Sequence, residues 1–209
     1  MIHDLSHVVS DGMPVYPGDP EVHVEAGLTI AADGVDVARL TMGSHTGTHV
    51  DAPSHTVPGG RTMASVGLDE LVGDAIVFRV RVGEGETYGW AELDPRGDLP
   101  ETLPSIALIS TGWDAFFTDD RRRLRHPALD PAAARILIDR GVHVIAVDTL
   151  SPDPTGAADF PVHDVVLGSD HLIVENVRGV AALPDHVRVG FFPLRISGDG
   201  APVRAVAFT

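Results

Sequence analysis

Residues 45–55 read His-Thr-Gly-Thr-His-Val-Asp-Ala-Pro-Ser-His, three imidazoles and a carboxylate in the order H-x3-H-x-D-x3-H. Imidazole nitrogen and carboxylate oxygen are the ligands that borderline divalent metals such as zinc prefer. A fold that uses them together must aim them into one space. On a helix, His45 and His49 would share a face and Asp51 would point elsewhere. On a strand, positions 45, 47, 49 and 51 project from one side. Two Thr, a Val and a Gly, ended by Pro53, favour the extended form. The segment is therefore expected to direct His45, His49 and Asp51 into one pocket, with Gly47 leaving room. Pro53 then turns the chain so that His55 reaches back to the rim.

The competing reading is a solvated surface loop. With 11 His in 209 residues, some clustering arises by chance. Three at this spacing, with the Asp in phase and small residues between, weigh against it. A structural zinc site normally closes four ligands and leans on Cys. This chain has no Cys, so an open, catalytic site is the better reading.

Composition narrows the function class. The length suits one domain, residues 1–209. Lysine is absent and all 15 basic residues are Arg, which removes Schiff-base chemistry through a lysine. The formal net charge of −15 argues against nucleic acid or an anionic membrane as partner. It also makes a bound cation electrostatically welcome. The first residues show no basic stretch followed by an apolar run, so no export signal is evident and the cytoplasm is the expected location. No run approaches the roughly 20 apolar residues of a membrane span.

Along the chain, no repeat or linker is visible. Residues 2–6 could open a strand, and residues 14–20 form a turn-rich loop carrying Tyr16. Residues 21–30 and 35–43 alternate apolar and polar, as half-buried strands do. Further strands are expected at 74–82, 105–110, 143–148, 171–176, 187–192 and 202–208. Residues 130–141 are the clearest helix, with Asp130 as N-cap, Pro131 at the first position and Gly141 as the stop. A short helix is expected at 161–168. Strands outnumber helices, which predicts an α+β or mixed α/β, strand-rich domain.

A two-metal site needs more ligands than residues 45–51 provide. The best candidates lie in 163–175: His163 near a helix start, and Glu175 ending the apolar strand Leu-Ile-Val. Asp170 and His171 compete with them.

The stretch His45–His55 resembles the signature of the metal-dependent hydrolases called the cyclase family, which includes bacterial kynurenine formamidases of tryptophan catabolism and isatin hydrolases. The resemblance runs nearly end to end. Asp4-Leu5-Ser6-His7 resembles the family's opening and Pro14–Asp19 its substrate loop. Asp148–Asp153 resembles a pocket strand. His163 to Glu175-Asn176 resembles the distal metal half, and Pro193-Leu194-Arg195 with Gly200–Ala205 the closing strands.

The resemblance implies a swivelling β/β/α fold associating as homodimers or homotetramers. It implies that His45, His49 and Asp51 bind one metal, and that Asp51 bridges to a second held by His163 and Glu175. Two Zn²⁺ per subunit are implied, with Mn²⁺ as the alternative. His55 would be the catalytic acid–base. Tyr16 stands where kynurenine formamidases typically carry Trp against the substrate's ring.

Zinc lowers the pKa of its bound water to about 7, and an imidazole titrating near 6.5 is suited to taking a proton and returning it. The expected reaction is hydrolysis of a small amide, an N-formyl aryl amine or, as with isatin, a cyclic amide. A lactonase, cyclase or dehydratase of secondary metabolism is the second reading. A non-enzymatic metal-binding oligomeric scaffold is the third, and His55 speaks against it. Trp113 and Phe160 could line an aromatic pocket or sit in the core; His7 and His126 read as structural.

Overall fold

In a computed structural model, residues 1–209 are described throughout. Twelve strands occur along the chain: β1 (Ile2–Asp4), β2 (His23–Leu28), β3 (Val37–Thr41), β4 (His49–Asp51), β5 (Val72–Arg79), β6 (Thr87–Tyr88), β7 (Ile106–Ser110), β8 (Ala128–Leu129), β9 (Val144–Val147), β10 (Leu172–Glu175), β11 (His186–Pro193) and β12 (Gly200–Phe208). Eight form one sheet in the order β1-β12-β11-β5-β7-β9-β10-β4, and β4 pairs back onto β12. That pairing closes seven strands into a barrel, with β1 added alongside β12. β5, β7, β9 and β10 run parallel; the pairings of β4, β11 and β12 are antiparallel.

Strand parity sorts the core into two layers. Ala75, Val77, Ile106, Leu108, Val144, Ala146, Leu172 and Val174 face the barrel interior with Val50, Val189, Phe191 and Ala205. The alternate residues Ile76, Phe78, Ala107, Ile109, Ile145, Val147 and Ile173 face outward under Leu137, Val162, Val166 and other helix residues. Burial on both faces explains why these strands read as continuous apolar runs without alternation. The outer cover comes from helices Pro131–Asp139 and Pro161–Leu167. The first starts as its sequence predicts: Asp130 accepts from the Ala132 amide at 2.7 Å, an N-cap worth about 1 kcal/mol, and Gly141 leaves the helix with φ 99°. The barrel, its outer apolar layer and these helices give the strand-rich α/β arrangement expected.

β2 and β3 form a separate two-stranded ribbon. Val24 and Ala26 pair with Leu40 and Ala38 on one face, and past a bulge Leu28 pairs with Val37; Leu28, Val37 and Leu40 are exposed. No helix of the chain is long and apolar enough to cross a membrane.

His7 stacks on Phe117 with ring centroids 3.8 Å apart, beside a small cluster of Met13, Val22 and Phe117. Burial, aided by the nearby Arg178 charge and opposed by Asp114, lowers its pKa from 6.5 to about 4. As pH falls below 6.5 the unfolded chain gains a proton at this position that the folded chain refuses until about 4. His7 therefore contributes stability that is fully present above 6.5 and is lost as the pH falls toward 4. His7→Phe, which keeps the stacking, is expected to remove that part of the acid sensitivity. Chemical denaturation at the two ends of this window checks it; an equal loss of stability in both proteins would refute it.

Candidate active site

The site lies outside the barrel wall, where β4, β10 and the helix Pro161–Leu167 meet. Residues opposite each other in an antiparallel pair share a face. Register places Glu175 opposite His49, and Ile173 opposite Asp51. Val50 and Val174, of the other parity, go into the interior core. His49, Asp51 and Glu175 therefore project outward together, and the helix brings His163 over them.

His45 arrives differently from the expected strand. Only His49–Asp51 form a strand; residues 44–45 are a turn and 47–48 a bend. Gly47 has φ +62°, a conformation that L side chains rarely adopt, and the turn folds His45 back until its Nδ1 is 2.7 Å from Asp51 Oδ1. Strand alternation thus accounts for His49 and Asp51, and a left-handed turn accounts for His45. Pro53–His55 form a 3-10 turn that returns His55 to the rim, its ring 3.9 Å from that of His45.

Each of three imidazoles has one nitrogen tied and the other aimed inward. His49 Nδ1–H donates to the Gly47 carbonyl at 2.8 Å. His163 Nδ1–H donates to Asp153 Oδ2 at 2.7 Å. His45 Nε2–H donates to Asp199 Oδ2 at 2.9 Å. The inward nitrogens converge on two carboxylates. His49 Nε2 lies 3.3 Å from Asp51 Oδ1 and 3.3 Å from Glu175 Oε2, aligned for a hydrogen bond with neither. His163 Nε2 lies 3.7 Å from Asp51 Oδ2 and 3.4 Å from Glu175 Oε1. His49 Nε2 and Asp51 Oδ2 are buried without a hydrogen-bond partner.

Buried polar atoms left without hydrogen-bond partners are costly unless something binds between them. Tied outer nitrogens and converging inner ones are the arrangement of metal-binding histidines. The donor set fits a divalent cation. His45, His49 and Asp51 form one group whose ligand atoms lie within 4.8 Å of one another, and Asp51, His163 and Glu175 form a second.

Protonation follows the same logic. Burial alone would lower the three imidazoles, but the carboxylates overcome it. Asp51 and Glu175 hold His49 well above its usual value, and hydrogen bonds to Asp153 and Glu175 push His163 up to about 10. Glu175 is opposed by burial and by the neighbouring charge of Asp51, yet the two imidazoles hold it below its usual value. These imidazole protons occupy positions that a cation would take, so metal uptake should release protons.

A cavity of about 530 Å³ opens over these groups, lined among others by Tyr16, Asp19, His55, Leu150, Phe160 and Asn176. Tyr16 and Phe160 meet edge-to-face at 6.4 Å, and the Tyr16 hydroxyl accepts from the Gly156 amide at 3.0 Å. Burial raises the Asp19 carboxyl.

The other candidates lie elsewhere. Asp170 pairs with Arg61 at 2.6 Å, and His171 Nδ1 bonds the Ser169 carbonyl. Buried His126 joins Thr155 and the Pro127 carbonyl. Trp113 is buried and donates to the Arg122 carbonyl, outside the main cavity. Asp148 turns away from the pocket to bind the Ser110 hydroxyl and the Thr111 and Gly112 amides; burial raises its pKa to about 6.

Asp199 joins the site with no motif to announce it, and Asp153, at the end of the stretch that resembles a pocket strand, takes a role of its own there. Asp153, fully buried, accepts from the Val162 and His163 amides as well as the His163 ring. It fixes the helix start and the imidazole at once. The sequence hint for Asp199 is its neighbour. Gly200 stands opposite Asp51 in β12, and a Cβ there would meet His45 Cε1 at 2.8 Å and the Val50 carbonyl at 2.9 Å. Gly200→Ala is therefore expected to cost roughly 1–3 kcal/mol by overpacking and to weaken metal binding by displacing His45. Thermal unfolding and metal titration of the variant check both.

The Cyclase family model matches residues 3–154. The chain belongs to this family. It is 32% identical over 225 residues to a kynurenine formamidase of Paracidovorax citrulli, covering 100% of this chain and 97% of that protein. A kynurenine formamidase of Erythrobacter litoralis is 31% identical, covering 98% of this chain and 92% of that one. Among solved structures, a "predicted metal-dependent hydrolase" from Bacillus stearothermophilus superposes with TM-score 0.79 at 26% identity, covering 99% of this cyclase-family chain and 97% of that one. Isatin hydrolase A from Labrenzia aggregata, bound to benzyl benzoate, gives TM-score 0.83 at 24% identity, covering 99% and 93%; at that identity the likeness speaks for the fold.

Proposed function

We propose that this cyclase-family chain, acting as one catalytic domain, is a metal-dependent amidohydrolase that cleaves the C–N bond of a small amide, foremost an N-formyl aryl amine. The observation that carries the reading is the convergence of three oriented imidazoles on Asp51 and Glu175 beneath a cavity. Kynurenine formamidases as full-length relatives support the formamide, and Tyr16 and Phe160 on the cavity wall support an aryl group.

His45, His49 and Asp51 would hold one cation and His163 and Glu175 a second, with Asp51 between them. The oxygen- and nitrogen-rich set suits Zn²⁺, with Mn²⁺ as the alternative. A cation bound there would lower the pKa of water to about 7 and polarise the amide carbonyl.

The chain's own residues do the rest. Tyr16 and Phe160 seat the ring. His55 is the one imidazole on the rim outside both ligand groups built on Asp51. It takes the proton of the attacking water and gives it to the leaving nitrogen as the C–N bond breaks, ending neutral as it began. We read the enzyme as cytoplasmic and as a homo-oligomer, a dimer or a tetramer, the association supported by exposed Leu28, Val37 and Leu40 on the β2–β3 ribbon. A two-stranded ribbon is marginal in water by itself.

The test is an assay of chelated and metal-restored enzyme against N-formylkynurenine, isatin and simple lactones. Formamide hydrolysis that appears only with metal restored is expected. Turnover of isatin alone would favour the cyclic-amide alternative, and turnover of lactones alone would replace the amide reading.

A further inference from the structure

We propose that Asp199 is a positioning residue: its carboxylate fixes which nitrogen of His55 carries the proton. The proposal rests on the reading of His55 as the acid–base group. Asp199 Oδ2 lies 3.1 Å from His55 Nδ1 and 2.9 Å from His45 Nε2. Oδ1 accepts from the Ser44 hydroxyl at 2.9 Å. An ionised carboxylate only accepts, so both rings must present N–H to it. His55 is then protonated on Nδ1, and its Nε2 lone pair is left free on a ring that lines the cavity. That is the nitrogen a general base needs.

The backbone makes Asp199 suited to the task. Its carbonyl accepts from the Ala52 amide at 2.8 Å, and the Gly198 carbonyl accepts from Met63 at 2.9 Å. The next residue, Gly200, is already in register with Asp51. The carboxylate is therefore set by the same β4–β12 pairing that places Asp51. One oxygen serves two rings whose centroids lie 3.9 Å apart, which couples the placement of the acid–base group to that of the proposed ligand His45. During turnover, His55 Nε2 gains a proton from water and passes it to the amide nitrogen. Asp199, half-buried at the rim, stays ionised throughout and stabilises the transient imidazolium, as an Asp behind a catalytic His does.

His45, His55 and Asp199 also group closely enough to be weighed as cation ligands themselves, and the experiment separates the two roles. Asp199→Asn and Asp199→Ala are made alone and in the His55→Ala background, with metal content measured in each. Ser44→Ala serves as a milder variant that leaves both imidazole contacts in place. Positioning predicts that Asp199→Asn retains wild-type metal content and KM while kcat falls roughly 10²-fold, as for loss of a group that orients a catalytic or ligating histidine. Ser44→Ala should lower kcat less.

In the His55→Ala background Asp199→Asn, which keeps an acceptor oxygen for the His45 ring, should lower kcat far less than in the wild type, because the group being positioned is gone. An equal fall in both backgrounds, or loss of metal in step with activity, would overturn the positioning role and leave the His55 reading intact. Full activity of His55→Ala alone would overturn the His55 reading and this proposal with it.

Discussion

Replacing His45 and His49 together by alanine is expected to abolish binding of the cation held on their side of Asp51, and amide hydrolysis with it. The two rings supply both nitrogens of the group completed by Asp51, and the residues that orient them, Asp199 and the Gly47 carbonyl, cannot substitute from where they sit. Asp51 would be left to bind a cation alone on that side. One carboxylate oxygen does not hold a borderline divalent metal against water. The same substitutions remove the two imidazolium partners that keep buried Asp51 ionised, so the metal-free double variant should also lose stability. Elemental analysis of purified wild type and variant, with thermal unfolding of both, checks this. Equal metal in the two proteins would show that the cation lies elsewhere.

His55→Ala is expected to keep its metal and lose about 10²–10⁴-fold in kcat, the usual worth of a positioned proton-transfer group. The geometry separates His55 from the inward-facing set. Its ring is partly exposed on the rim, its Nδ1 contacts Asp199, and it belongs to neither group built on Asp51. Loss of metal together with activity would make His55 a ligand. Activity near wild type would assign the proton to another group.

The features legible from sequence are those with a local cause. The helix at Pro131–Asp139 announces itself through Asp130, Pro131 and Gly141. The buried strands β5, β7, β9 and β10 show as short apolar runs. His49 and Asp51 share a face because strand side chains repeat every second residue. The rest depends on distant closure. No local pattern tells β4 to pair with β12, about 150 residues away, yet that pairing closes the barrel and delivers Asp199 to His45 and His55. Asp153 reads in sequence only as the end of a stretch that resembles a pocket strand, and becomes an anchor when the Pro161–Leu167 helix folds over it. His45 illustrates a third case: the right residue in the right pocket, brought there by the left-handed Gly47 turn and not by the strand.

The most direct test of the account is a metal titration of the chelated enzyme, following formamide hydrolysis and bound metal in the same samples. The account predicts no measurable hydrolysis without metal, and a plateau in activity reached when two cations are bound per chain. Full activity in the metal-free protein would contradict it at its centre, and a plateau at one cation would remove the second site at His163 and Glu175.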